Sequence, residues 1–380
     1  MQFLPMLSGR VAVFDGGFGS QVTAMGLSCD CPERLNLENP DAVRAIHRSY
    51  IEAGAEGIET NTLGANPLRL AAHGLSDQAA AITEAAIGHA RAAGAKYIAC
   101  SMGSTAQFLA PFGLLDPEKA YQGFLVQAQA ARAAGADLLF TETLTDLSEA
   151  RMMWLAAEAA GIPFAASFTF QDNGRTLTGS TPAICAQVAE AMGAKLVGVN
   201  CVGDAALLLR VIAEMRGATR CPIIAQPNAG LPEQIDGRAV YTVIPQMLLP
   251  TMAQALDSGA SIIGGCCGTT PAHIRVMAPL TKGRTLPTPG GDGVERVCSP
   301  WQSLPLAEAR ANAEIMTPDE LDESDAPAVA LDLRGISPDA AREAIDEALL
   351  MLRQPLLFRA NDEETLRAAL RRYPGVSASI

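Results

Sequence analysis

Ala134-Gly135-Ala136-Asp137-Leu138-Leu139-Phe140-Thr141-Glu142 joins an Ala-rich amphipathic stretch, Pro117 to Ala134, to a short apolar run that stops at a carboxylate. The glycine is the stop a helix needs before the chain turns back into a sheet. The apolar run is too short for a helix and reads as a buried strand. The same Ala-Gly-Ala step recurs at Ala53-Gly54-Ala55 and Ala93-Gly94-Ala95. Working outward, strands are expected at Val11 to Phe14, Gly57 to Glu59, Tyr97 to Ser101, Leu138 to Thr141, Phe164 to Phe168, Leu196 to Asn200, Ile223 to Gln226 and Ser261 to Gly264. Between them, Ala42 to Ala53, Gln78 to Ala93, Pro117 to Ala134, Asp146 to Ala159, Ala183 to Met192, Ala205 to Met215 and Pro245 to Leu256 read as helices. Strand and helix alternate eight times, which predicts an α/β fold of the (β/α)8 TIM-barrel type, with a doubly wound open sheet as the lesser alternative.

Composition narrows the function classes. The 380 residues are 49% hydrophobic and 18% charged, enough to bury a barrel-sized core and a smaller unit. A formal net charge of -13 disfavours nucleic acid and anionic membranes as partners. No apolar run reaches membrane-spanning length, and the N-terminus lacks a secretory pattern, so a cytoplasmic location is expected. Nine cysteines scattered through a long chain argue for reduced thiols with metal or catalytic uses rather than a disulfide framework.

In a barrel the chemistry sits at the carboxyl ends of the strands. There the sequence places Asp15, Glu59-Thr60-Asn61-Thr62, Glu142, Asn200-Cys201 and Gly264-Gly265-Cys266-Cys267-Gly268. Cys201 and the Cys266-Cys267 pair are expected to share one metal across the barrel mouth. Three protein ligands leave the fourth position of a zinc site open, as catalytic sites require. A strained vicinal disulfide at Cys266-Cys267 is the alternative. Cys29, Cys31, Cys100, Cys185, Cys221 and Cys298 read as ordinary buried thiols, although Cys29-Asp30-Cys31 also admits a second metal site. Asp15 could cap the turn that follows it. Glu59 and Glu142 could pair with arginines, Thr60 to Thr62 could satisfy loop backbone, and His273 fits a helix-capping role.

Four segments carry a family resemblance: Asp15-Gly16-Gly17-Phe18-Gly19-Ser20, Glu59-Thr60-Asn61-Thr62, Gly198-Val199-Asn200-Cys201, and Gly264 to Pro271. Over roughly residues 10 to 280 the chain resembles the homocysteine S-methyltransferase family, which includes betaine-homocysteine methyltransferase and the N-terminal module of cobalamin-dependent methionine synthase. The resemblance implies zinc on Cys201, Cys266 and Cys267, with the homocysteine thiol as fourth ligand and methionine as product. It implies Asp15 and Glu142 as homocysteine-binding residues, with Gly16, Gly17 and Asn200 beside them. Phe18, Ser20 and Asn228 depart from the family's usual residues and bear on pocket shape.

The expected domains are the homocysteine-binding zinc barrel over 1–281, a linker over 282–326 with one short helix, and a small α/β segment over 327–380. In that segment Val329 to Leu333, Pro355 to Arg359 and Val376 to Ile380 read as strands, and Pro338 to Leu352 and Asp362 to Arg372 as helices. Gln354-Pro355-Leu356-Leu357-Phe358-Arg359 and Tyr373-Pro374-Gly375 resemble the start of a pterin-binding domain. No Asp-x-His-x-x-Gly cobalamin motif occurs, so a methylcobalamin donor would be supplied in trans by a separate corrinoid or folate-binding protein. The alternatives are a stand-alone enzyme using S-methylmethionine, S-adenosylmethionine or betaine, a non-catalytic thiol-binding or docking module, or a fragment of a longer methionine synthase.

Overall fold

The computed structural model describes residues 5–27, 30–231, 233–235 and 238–380. Eight parallel strands form one sheet: β1 (Ala12–Val13), β2 (Gly57–Glu59), β3 (Tyr97–Met102), β4 (Leu138–Leu144), β5 (Phe164–Phe168), β6 (Val197–Asn200), β7 (Ile223–Gln226) and β8 (Ile262–Ile263). Neighbours in sequence are neighbours in the sheet, and β8 pairs with β1. The Glu56 N–H donates to the Val13 carbonyl at 2.8 Å and Phe14 bridges Gly57, which closes the sheet into a TIM barrel. Alternation along each strand sorts the side chains. Ala12, Phe14, Leu138, Phe140, Ala165, Leu196, Ile224 and Ile262 fill the interior, and their neighbours pack outward against the helices.

The helices start and stop where the chain supplies capping chemistry. Asn39, Asp116, Asp146, Thr181 and Asp204 accept the first free amides of the helices Pro40–Ala53, Pro117–Ala133, Leu147–Ala160, Pro182–Ala191 and Ala205–Ala218. Gly54, Gly94 and Gly135, the three glycines of the Ala-Gly-Ala steps, all have positive φ. Between β7 and the helix Pro245–Asp257 the chain adds a hairpin, Glu233–Ile235 against Arg238–Val240, that the sequence pattern did not predict.

Order resumes earlier than the linker reading expects. Arg296–Cys298 pairs antiparallel with Ser303–Pro305, and a helix follows at Leu306–Asn312. Ala313–Met316 then pairs with Ala328–Asp332, which pairs with Leu356–Arg359, in a three-stranded parallel sheet. Helices Pro338–Met351 and Glu363–Arg372 pack together over that sheet's core. The expected last strand, Val376 to Ile380, is reduced to two single bridges, Val376 to Cys298 and Ser379 to Phe358. Among the described residues no helix is long and apolar enough to cross a membrane.

Gly198 on β6 lies against β7 so closely that a Cβ would stand 2.2 Å from Ile224 Cγ2 and 2.7 Å from its carbonyl oxygen. Both neighbours are in the barrel wall and have little room to move. Gly198→Ala is expected to destabilise the fold by about 1–3 kcal/mol, read as a lower urea midpoint at unchanged slope.

Candidate metal centre and carboxylate mouth

The strand ends deliver a cavity of about 950 Å³ at the barrel mouth, lined by Gly16, Gly17, Glu59, Ser101, Glu142, Tyr241, Cys266 and Cys267 among others. Cys201 leaves β6 with φ of 59°, a left-handed conformation that an L residue adopts at a cost. Its N–H is held by the Gln226 carbonyl at 3.1 Å. Cys266 and Cys267 follow β8, where the Cys266 N–H donates to Pro227 O at 2.8 Å and the Cys267 carbonyl accepts from Ala229 N at 2.9 Å. Strands six and eight both flank β7, so the residues just past β7 hold both cysteine loops.

The three sulfurs lie within 4.8 Å of one another, and this is the cluster of side chains among the described residues that could hold a metal ion. A tetrahedral ion with sulfur ligands at about 2.3 Å requires about 3.8 Å between sulfurs. Cys201 Sγ and Cys267 Sγ stand 3.8 Å apart, at that spacing, and Cys266 Sγ lies within 4.8 Å of both, so the donor set suits zinc. Hydrogen bonds from Cys201 and Cys266 hold the Cys267 thiol below the usual range, and those same bonds, with burial, push Cys266 well above it. The three are free thiols, which leaves the vicinal disulfide alternative unrealised here.

Three carboxyl groups, Asp15 and Glu142 buried and Glu59 half-buried, stand beside the sulfurs. Both Asp15 oxygens accept from the Glu59 N–H, at 3.2 and 3.1 Å, so Asp15 anchors β2 rather than capping its own turn. Glu59 accepts from Gln226 Nε2 at 2.5 Å. Glu142 accepts from Ser101 Oγ and, at 3.4 Å, from Asn200 Nδ2. None of the three forms an ion pair with an arginine among the described residues, contrary to the alternative raised for Glu59 and Glu142. Burial raises all three, and the charges of Glu142 and Asp15 raise Glu59 further.

Glu142 reaches this position through a bulge. The pairing of β4 with β5 shifts between Thr141 and Leu144, and Thr143 takes φ of 57°. Asn200 holds the bulge: its Oδ1 accepts from Thr143 N at 2.9 Å and its Nδ2 donates to Thr143 Oγ1 at 2.7 Å. Asn200 also contacts Cys266 Sγ at 3.9 Å and Ser167 Oγ at 2.8 Å. Its amide is therefore committed to protein partners, and it ties the acid to the cysteines.

Gly17 donates its N–H to Thr269 Oγ1 at 3.1 Å, so it contributes close packing rather than a free amide. A Cβ at Gly17 would meet the Cys266 carbonyl at 2.7 Å, and one at Gly16 would meet Thr269 Oγ1 at 2.6 Å. Thr60, Asn61 and Thr62 satisfy loop backbone, as expected: Thr62 Oγ1 donates to Ser101 O at 2.7 Å, and Asn61 Nδ2 to Pro32 O at 2.7 Å. His273 completes a capping box with Thr270. Cys31, Cys100, Cys185, Cys221 and Cys298 are buried outside the trio; Cys29 lies outside the described residues. Sequence reasoning passed over Ser101 and Tyr241 and gave Glu59 no part beside Glu142.

Comparison with known proteins follows the same residues. A family model described as homocysteine S-methyltransferase matches residues 12–281. Methionine synthase from Mycobacterium tuberculosis is 31% identical over 327 residues, covering 80% of this chain and 27% of that protein. The enzyme of the same name from Mycobacterium leprae is 31% identical over 297 residues, covering 72% and 24%. The chain thus spans about a quarter of the length of these curated relatives. Among solved structures, the metallated form of the homocysteine methyltransferase MmuM from Escherichia coli superposes with a TM-score of 0.61 at 25% identity, covering 72% of this chain and 96% of that one.

Acids whose pKa is raised by folding stabilise the protein while protonated, and that contribution is lost as pH climbs through their raised range. Glu59→Gln mimics the protonated acid and keeps an oxygen for Gln226. It is expected to raise Tm of the metal-free chain at about pH 8 and to change it little at about pH 4, by about 1–2 °C for each kcal/mol recovered. Thermal melts across that range check the sign.

Proposed function

Since this chain belongs to the homocysteine S-methyltransferase family, we propose that it transfers a methyl group to the thiol of homocysteine and forms methionine, with zinc held by Cys201, Cys266 and Cys267. The observation that carries this reading is the sulfur trio within 4.8 Å, with Cys201 and Cys267 at tetrahedral-edge spacing, beside two buried acids and a half-buried one. Zinc bound by three thiolates would deprotonate a fourth thiol while leaving its sulfur electron-rich enough to attack carbon.

The chain's own residues supply orientation. Glu142 and Glu59 face the cavity and Asp15 lies just behind, so a substrate ammonium entering there meets carboxyl groups that have no other cation. Its charge favours their ionised forms and offsets the cost of burying them. Asn200 fixes the distance between Glu142 and Cys266, which sets how the ammonium end and the sulfur end of one substrate are placed. In the transfer, the sulfur forms its bond to the methyl carbon as the carbon–donor bond breaks, and the donor keeps that electron pair.

A methylcobalamin-type donor on a separate protein is supported by the match to methionine synthase, which extends over 80% of the chain, beyond the barrel. A second reading has its own observation. Among the described residues, those lining the cavity include Glu33, Glu59 and Glu142 but no Lys, Arg or His. Such a wall favours a cationic onium donor, S-methylmethionine, S-adenosylmethionine or betaine, and repels a folate polyanion.

The whole chain, loaded with zinc and given homocysteine with each donor in turn, is expected to form methionine with methylcobalamin on a corrinoid protein. Methionine from an onium donor alone would select the second reading, and none from any donor would support a thiol-binding or docking module. Metal analysis is expected to find one zinc per chain, lost when Cys201, Cys266 or Cys267 becomes Ser. A chain with intact thiols that takes up no zinc would remove the central claim.

A further inference from the structure

Tyr241 follows the hairpin between β7 and the helix Pro245–Asp257, far in sequence from either cysteine loop, yet it lines the same cavity as Cys266 and Cys267. Its ring lies on the backbone of Gly268. A Cβ at that position would stand 2.2 Å from Tyr241 Cγ and 2.4 Å from Tyr241 Cβ, so only glycine admits the ring there, and Gly268 has φ of 77°. The residue beside the metal-site pair is thus shaped to receive this tyrosine.

A chain of hydrogen bonds keeps Tyr241 in place. Ala229 donates to Cys267 O at 2.9 Å and accepts from Val243 N at 3.3 Å. The Val243 carbonyl lies 2.9 Å from His273 Nε2. His273 Nδ1 accepts from Thr270 N at 3.1 Å in the capping box, so the ring proton sits on Nε2 and is donated to Val243. The path starts at Cys267, crosses Ala229, Val243 and His273, and returns to Thr270, three residues beyond Cys267. Val243 also fills the space over Gly230, where a Cβ would stand 2.5 Å from its Cγ2. The segment carrying Tyr241 is therefore tied to the cysteine loop through both backbone groups of Val243, two residues on.

We propose that Tyr241 is a positioning residue for the metal corner, with its phenol hydroxyl donating to the Cys267 sulfur and its ring, seated on Gly268, walling the cavity beside it. This rests on the zinc reading above. A hydrogen bond to a metal-bound thiolate draws electron density from that sulfur and fixes its orientation. The site as proposed gathers thiolates and carboxylates with no cationic side chain in its wall among the described residues. Tyr241 is the neutral donor that takes up part of that charge, and it does so at a sulfur other than the one that reacts.

The test compares the wild-type full chain with Tyr241→Phe, which removes one hydroxyl and keeps the ring on Gly268, and with His273→Ala, which cuts the tether. Zinc affinity is measured by competition with a chromogenic chelator, and the cobalt(II)-substituted proteins are compared by their sulfur-to-metal absorption bands. Tyr241→Phe is expected to lose about tenfold or more in zinc affinity and to move the cobalt band. His273→Ala is expected to move it in the same direction. A packing role alone would leave the band unchanged in Tyr241→Phe. Wild-type zinc affinity with a superimposable cobalt spectrum in Tyr241→Phe overturns the proposal. A wild-type chain that binds no zinc overturns the zinc reading too, and is seen before any variant is compared.

Discussion

The Gly265 N–H donates to the Asp15 carbonyl at 2.9 Å, and the site depends on that bond. It lies on the seam where the first and last strands meet, and a backbone bond there requires both loops to approach without side chains between them. Gly16 and Gly17 on one side and Gly264 and Gly265 on the other provide this. A Cβ at Gly264 would already stand 3.0 Å from the Asp15 carbonyl oxygen, and one at Gly265 would overlap Thr269. The seam closes the barrel, and it also sets a buried acid beside two cysteines some 250 residues away in sequence. Fold closure and site assembly are the same contact, so glycine in these loops answers to both.

What the seam gathers is electrostatically expensive. Three acids and three thiols share a mouth with no cation in its wall among the described residues, and the low dielectric of the interior raises the cost of each ionised carboxyl. The fold meets this in part with neutral donors: Gln226 donates to Glu59 and Ser101 to Glu142. Under the function proposed above, a metal on the sulfurs and an ammonium on the acids would supply the missing charge, so the features that cost the fold stability would be those that favour binding.

The barrel was legible because its signals are local. Helix stops at Gly54, Gly94 and Gly135, apolar runs of fixed length and polar strand ends are all read within a dozen residues, and β2, β5 and β7 fall where the pattern puts them. The cysteine trio was legible because each sulfur follows an apolar run flanked by glycine. Glu59 was not distinguished from an ion-paired acid, since only the closed barrel reveals that no arginine reaches it. Tyr241 follows a hairpin in a polar segment and carries no local mark; its meaning lies in Gly268, more than twenty residues on. The stretch from Arg296 to Met316 read as linker because Pro, Gly and acidic residues mask short strands, whose partners are fixed only by long-range pairing.

Those short strands bear on the barrel as well as on each other. Trp301 donates its indole N–H to Thr178 O at 3.0 Å, meets Phe112 edge-on with ring centres 6.0 Å apart, and is covered by the Arg353 guanidinium. Thr178 and Phe112 belong to loops that follow β5 and β3, on the face where the strands end. Arg151, on the helix after β4, is half-buried with its Nε fully enclosed, has no carboxylate partner among the described residues and donates to the Gly375 carbonyl; burial pushes it down to about 10. Removing that carbonyl would leave a half-buried cation unpaired, which proteins tolerate poorly. Arg371 and Arg372 add a bond to Glu118 and one to the Ala110 carbonyl. Residues 296–380 therefore brace two of the loops at the mouth end of the barrel, and the geometry of those loops follows from contacts made more than a hundred residues later.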